Sequence, residues 1–161
     1  MQIELGFGTG VQRLDVPDKN LLGILTPNPV EKDLTGEAEV KRALEHPIGT
    51  PKLREIVKPG EKIAVITSDI TRPMPTYKVM PVLLDELYAA GVKPEDITLV
   101  FALGSHRRQT PEEQKKLAGE RAFSEIKCID GDNTDCMHIG TTRNGTPVDI
   151  VRAVAQADRR I

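Results

Sequence analysis

Lys62-Ile63-Ala64-Val65-Ile66-Thr67-Ser68-Asp69-Ile70-Thr71-Arg72-Pro73 decides the fold. It opens on a continuous apolar run with little alternation, the pattern of a strand buried on both faces of a parallel sheet, and passes into a polar loop. Beyond the loop, Met80, Leu83, Leu84, Leu87 and Tyr88 recur at helical spacing and predict an amphipathic helix. Pro81 fits if the regular helix begins near Val79 and otherwise implies a kink. Gly91-Val92 marks a Schellman end, Lys93-Pro94-Glu95-Asp96 the return loop, and Ile97 to Leu103 a second buried strand. The unit is βαβ, with parallel strands and a right-handed crossover.

Working outward, the plan repeats. Gly104-Ser105-His106-Arg107-Arg108-Gln109 is a second loop, and Thr110 caps a helix with Pro111 at its first position and Glu113 closing a capping box. Ile126–Ile129 predicts a third strand. His138–Thr142 and Pro147–Ile150 flank Asn144-Gly145, a hairpin turn signal, and residues 151–157 predict a helix. At Arg159-Arg160-Ile161 another strand is expected to start, so the chain reads as a fragment of something longer. Upstream, residues 33–46 suit a helix stopped by Pro47, and Thr50-Pro51 suggests a cap and first position of a short helix to about Val57. In residues 1–30, Gly6-Phe7-Gly8-Thr9-Gly10 invites a dinucleotide-binding reading, but position 11 is Val and strand-like residues follow, so a hairpin is expected. The fold expected is α/β: a Rossmann-like open, mainly parallel sheet with helices on both faces, plus N-terminal and C-terminal β-hairpins.

Composition excludes several classes. Among 161 residues, 22 Lys and Arg oppose 24 Asp and Glu, a net charge of −2 and no footprint for nucleic acid. Two Tyr and three Phe leave little to stack bases on. The apolar runs are far short of the roughly 20 residues that span a membrane, and residues 1–15 lack a leader's basic start and apolar stretch. Two cysteines read as reduced packing residues, and a cytoplasmic location is expected.

In an open parallel sheet, ligands bind outside the carboxyl ends of the strands. Two loops leave that edge here. The first carries Asp69, Thr71 and Arg72, the second Ser105, His106, Arg107 and Arg108. Adjoining strands lie about 5 Å apart, so the loops can gather a carboxylate, an imidazole and guanidinium groups in one crevice. His106 suits proton transfer, and Arg72 suits a carboxylate or phosphate. Arg107 and Arg108 precede a helix N-terminus, where cations are disfavoured; they point into water or an anion offsets them. His46 reads as a helix-end residue and His138 as a strand residue. Asp130-Gly131-Asp132-Asn133-Thr134-Asp135 lacks the glycine and distal glutamate of a calcium loop and reads as a polar loop.

Ser68-Asp69-Ile70-Thr71-Arg72-Pro73, followed about 30 residues on by Ala102-Leu103-Gly104-Ser105-His106-Arg107, resembles the N-terminal domain of the lactate racemase family, as does Gly140-Thr141-Thr142 with Asn144-Gly145-Thr146-Pro147-Val148. The resemblance implies a two-domain isomerase that uses a nickel-pincer nucleotide. A hydride leaves the substrate Cα for the cofactor and returns to either face, while two histidines shuttle the hydroxyl proton. Carried over by position, His106 is one of those histidines, and Arg72 holds the substrate carboxylate. Asp69, Ile70, Thr71 and Arg72 line the cofactor and substrate site. The family's attachment lysine, second catalytic histidine and nickel-ligating histidine have no match in residues 1–161, so no residue here is assigned to metal. The chain alone is expected to lack covalently held cofactor and racemase activity. The expected partners are a small 2-hydroxy acid, lactate first, and a C-terminal domain. The alternative is a non-catalytic module that binds an anion or nucleotide in the same crevice.

Overall fold

A computed structural model describes residues 1–72 and 74–161; Pro73 of the opening motif lies outside the described residues. The chain divides into two compact units, Met1–Asp33 and Leu34–Ile161.

The first unit is an antiparallel hairpin of β1 (Gln2–Phe7) and β2 (Gly10–Asp15), followed by a 3₁₀ turn at Asp18–Asn20. Gly8 and Thr9 form the connection, so the glycine pattern builds a β-turn and no dinucleotide loop. Pairing in register places Ile3, Leu5, Phe7 and Leu14 on one face, and the Glu4–Arg13 ion pair on the other.

The second unit is built on a four-stranded parallel sheet, spatial order β5-β4-β3-β8, of β3 (Ile63–Ser68), β4 (Ile97–Ala102), β5 (Lys127–Asp130) and β8 (Arg159–Arg160). The residues expected to start a further strand are thus themselves a short strand beside β3. Helices α1 (Glu37–Glu45) and α2 (Leu53–Ile56) precede the sheet, α3 (Thr76–Ala89) crosses from β3 to β4, and α4 (Pro111–Ala118) with α5 (Glu120–Glu125) crosses from β4 to β5. An antiparallel hairpin, β6 (Cys136–Thr141) and β7 (Pro147–Val151), then leads to α6 (Arg152–Ala155).

Alternation along the strands sets the core. Ile63 and Val65 of β3, with Ile97, Leu99 and Phe101 of β4, pack under Met80, Leu83, Leu84 and Leu87 of α3 and Leu117, Ala118 and Ala122 of α4 and α5. Burying each large apolar side chain contributes about 1.5–3 kcal/mol, which fixes the sheet against the helices and the loop ends with it. The opposite face is thinner. The one-turn α6 and the β6–β7 hairpin approach it, Ile66 stays 38% exposed, and a cavity of about 290 Å³ opens between Val100, Ala102, Ile150 and Val154. Helices flank both faces, but the run at 62–67 is sealed on one.

Several local expectations shift. The first predicted helix begins at Glu37, with Gly36 before it. Thr50 and Pro51 lie outside α2, which starts at Leu53; the Glu55 carboxylate reaches back to accept the Lys52 N–H, and among the described residues no hydroxyl caps the first-turn N–H groups. α3 starts at Thr76, so Pro81 sits inside it, depriving the Tyr77 carbonyl of its usual donor. The helix predicted over 151–157 is cut to four residues, because Asp158 N–H and Arg159 N–H already turn to the Lys62 carbonyl to start β8. The Schellman end forms as expected: Gly91 has φ +83°, and Val92 N–H reaches Leu87 O at 3.1 Å.

Candidate active site

Parallel register pairs Ser68 with Ala102, so the loops that leave β3 and β4 start side by side. Asp69 is the first residue beyond β3 and is almost wholly buried. In the second loop His106 N–H donates to Leu103 O (3.0 Å), and Gly104 takes φ +59° to make that turn. An L side chain disfavours this conformation. The turn swings the imidazole over the first loop, and His106 Nδ1 lies 2.6 Å from Asp69 Oδ2.

The pair is asymmetric. The Asp69 side chain is 4% exposed and that of His106 44%. Thr71 closes an Asx turn on the carboxylate, its N–H and its hydroxyl both donating to Asp69 Oδ1 at 3.1 and 2.7 Å. The Thr71 hydroxyl, and then the imidazole, hold the Asp69 carboxyl below its ordinary value of 3.8 against the opposing effect of burial. An ionised carboxylate only accepts, so Nδ1 carries a proton and donates to it, and in the neutral form of the ring the lone pair is on Nε2. The outcome is an oriented base on a buried acid.

His106, Asp69, Arg72, Met74 and Ser105 line an open cleft of about 600 Å³. Arg72 is exposed there, and among the described residues its guanidinium has no carboxylate partner. Ile70 is placed differently from its neighbours: its side chain packs against the core, and its N–H is taken by the Gln109 amide oxygen at 2.9 Å. Arg107 and Arg108 are offset by the protein's own anions. Arg107 forks onto Glu113, the capping-box residue of α4, and holds that carboxyl down to about 2. Arg108 pairs with Asp132, whose other oxygen accepts from the Thr134 N–H and hydroxyl in the polar loop 130–135. His46 ends α1, its N–H bonded to Arg42 O. His138 pairs with Asp149 across the β6–β7 hairpin.

Gln109 and Asp130 were not legible as site residues. Asp130 ends β5 at the same sheet edge, which is the signal that could have found it. Gln109 sits directly before the Thr110 cap, where capping accounts for its surroundings.

The strands, the buried acid and the imidazole define an open parallel-sheet α/β domain with an acid–base pair at its carboxyl edge. The chain belongs to the lactate racemase N-terminal domain family, which matches residues 7–161. It is 34% identical to lactate racemase from Thermoanaerobacterium thermosaccharolyticum over 97% of this chain, and 29% identical to lactate racemase from Lactiplantibacillus plantarum over the same share. Both alignments cover 38% of the relative's length. The solved lactate racemase apoprotein from T. thermosaccharolyticum superposes with a TM-score of 0.79 at 33% identity, covering 99% of this chain and 38% of that one. A protein of known crystal structure from Thermotoga maritima aligns at TM-score 0.54 and 25% identity, over 71% of this chain and 26% of that one.

Proposed function

We propose that this chain is the N-terminal domain of a cytoplasmic 2-hydroxy-acid racemase, with lactate the leading substrate, and that the rest of the catalytic apparatus belongs to a C-terminal domain. The observation that carries the reading is the Asp69–His106 pair facing a cleft lined also by Arg72, whose guanidinium has no carboxylate partner among the described residues. Similarity to lactate racemases supports it.

Arg72 would receive the substrate carboxylate, since a guanidinium matches a carboxylate in a two-point contact. His106 Nε2 would take the proton of the substrate hydroxyl as the Cα–H bond breaks and return it as the bond re-forms. Asp69 holds the ring in the required tautomer and stabilises the imidazolium that forms.

The donor set tests the fit of a nickel-pincer nucleotide. Among the described residues no three His, Cys, Asp or Glu converge as metal ligands. The cleft offers instead a guanidinium, the Ser105 hydroxyl and an imidazole. These suit substrate and the anionic, hydroxylated parts of a mononucleotide, with Asp69, Ile70, Thr71 and Arg72 forming the loop beneath. When bound, the group supplies the hydride-accepting chemistry. The attachment lysine, the nickel ligand and a second histidine for the opposite face of the substrate are assigned to the C-terminal domain. The isolated chain is therefore inactive in this reading.

The test is racemisation of D- and L-lactate by the full-length protein carrying His106→Ala. A loss of about 10²-fold or more is expected for an acid–base group. Unchanged turnover would favour the anion- or nucleotide-binding module. Stoichiometric nickel, or racemisation, with the 161-residue chain alone would contradict its inactivity.

A further inference from the structure

The loop that carries Asp69 is held from a third strand. Gln109 is buried, and its amide is bonded at both ends. Its oxygen accepts the Ile70 N–H at 2.9 Å, one residue from Asp69. Its Nε2 donates to Asp130 Oδ1 at 3.0 Å, and its own backbone N–H donates to Asp130 Oδ2 at 2.8 Å. Gln114 Nε2 adds a third donor to the same carboxylate, at 3.0 Å. The bridge thus runs from the end of β5, through the loop after β4, to the loop after β3.

We propose that Gln109, clamped by Asp130, is a positioning residue for the Asp69–His106 pair, fixing the loop whose carboxylate orients the imidazole. The inference rests on the racemase reading for its kinetic consequence, but its geometry stands apart from it. An amide suits this position. The Ile70 N–H needs an acceptor and the Asp130 carboxylate needs a donor, so glutamine satisfies both with one planar group. The bridge also ties three loops into one unit, so that Asp69 and His106, on separate loops, keep their 2.6 Å spacing. Displacing a catalytic group by about 1 Å can cost on the order of 10²-fold in rate, and the hydrogen-bond partners that orient metal-ligating side chains, a comparable positioning role, typically matter by about 10–100-fold.

The chemistry supplies its own rescue. Gln109→Glu sets two carboxylates against each other. Gln109→Glu with Asp130→Asn restores the pattern reversed: the new carboxylate accepts from both Ile70 N–H and the new amide, the oxygen of that amide keeps the backbone N–H of residue 109, and the Gln114 amide turns over so that its oxygen accepts from the new amide nitrogen. In the full-length protein, Gln109→Glu is expected to lower kcat about tenfold or more with KM within about twofold, and the double variant to recover most of the loss. In NMR of the 161-residue chain, the hydrogen-bonded Nδ1–H proton of His106 should broaden or vanish in the single variant and return in the double. A single variant with unchanged kcat and an unchanged Nδ1–H signal overturns the proposal. So does a double variant that regains folding without regaining kcat or the signal. If His106→Ala leaves turnover intact while the Nδ1–H signal follows Gln109 as stated, the racemase reading fails and the positioning role stands.

Discussion

Among the described residues, two histidine–aspartate pairs have nearly the same bond and different surroundings. His106 and Asp69 meet at 2.6 Å, His138 and Asp149 at 2.9 Å. The first pair joins loops 37 residues apart, buries its carboxylate and adds a threonine clamp. The second joins direct cross-strand neighbours on a hairpin, with both side chains about half exposed at 55% and 50%. Water screens the second pair and supplies alternatives to each of its bonds, so it is worth little. The first has no such alternative for its acid, and the ring is held in one tautomer. Burial of the acid and convergence of distant loops, more than the bond itself, separate the pair proposed for acid–base work from a surface ion pair.

The largest expected difference is chemical. In the full-length protein, Asp69→Asn should cost at least about 10²-fold in kcat, because an amide no longer enforces the protonated Nδ1. Asp149→Asn should leave kcat within about twofold; equal losses at both positions would erase the distinction. Next comes the turn. Gly104→Ala places an L side chain at φ +59°, a strain of about 1–2 kcal/mol. The turn carries His106, so relaxing the strain there shifts the imidazole, and kcat should fall by more than the loss of stability alone explains. A denaturation curve alongside the assay separates the two. Gly145→Ala, in the β6–β7 connection at φ +82°, should cost comparable stability with no loss of kcat.

Acid gives a subtler contrast. The Asp69 carboxyl is held below 3.8 in the folded chain. A depressed carboxyl contributes stability above its unfolded value and loses it as pH falls through the lower folded one. Stability attributable to Asp69 should therefore be complete from neutral pH to about pH 4 and decline below, and Asp69→Asn should flatten that acid limb in a urea titration. The smallest effect belongs to the thiols. Burial pushes Cys128 up to about 11, so at pH 8 on the order of one molecule in a thousand carries its thiolate. Alkylation of Cys128 should be slow in the folded chain and become fast in urea.

Much of the frame was legible in the chain. The apolar runs at 62–67 and 97–103, the 3.6 period at 80–88, the capping box at 110–113 and Asn144-Gly145 are local signals, and each specifies one element. Asp69, Arg72 and His106 were legible for a related reason: a parallel sheet sends every loop that follows a strand to the same edge. Tertiary structure decided what depends on distant partners. It shortened the C-terminal helix to free residues for β8, gave Arg107 and Arg108 to Glu113 and Asp132, and turned Ile70 inward. It also recruited Gln109 and Asp130, whose bonds run 39 and 21 residues along the chain. Sequence period records which face a residue takes; which polar atom satisfies which other is settled only when the folded backbone excludes water from both.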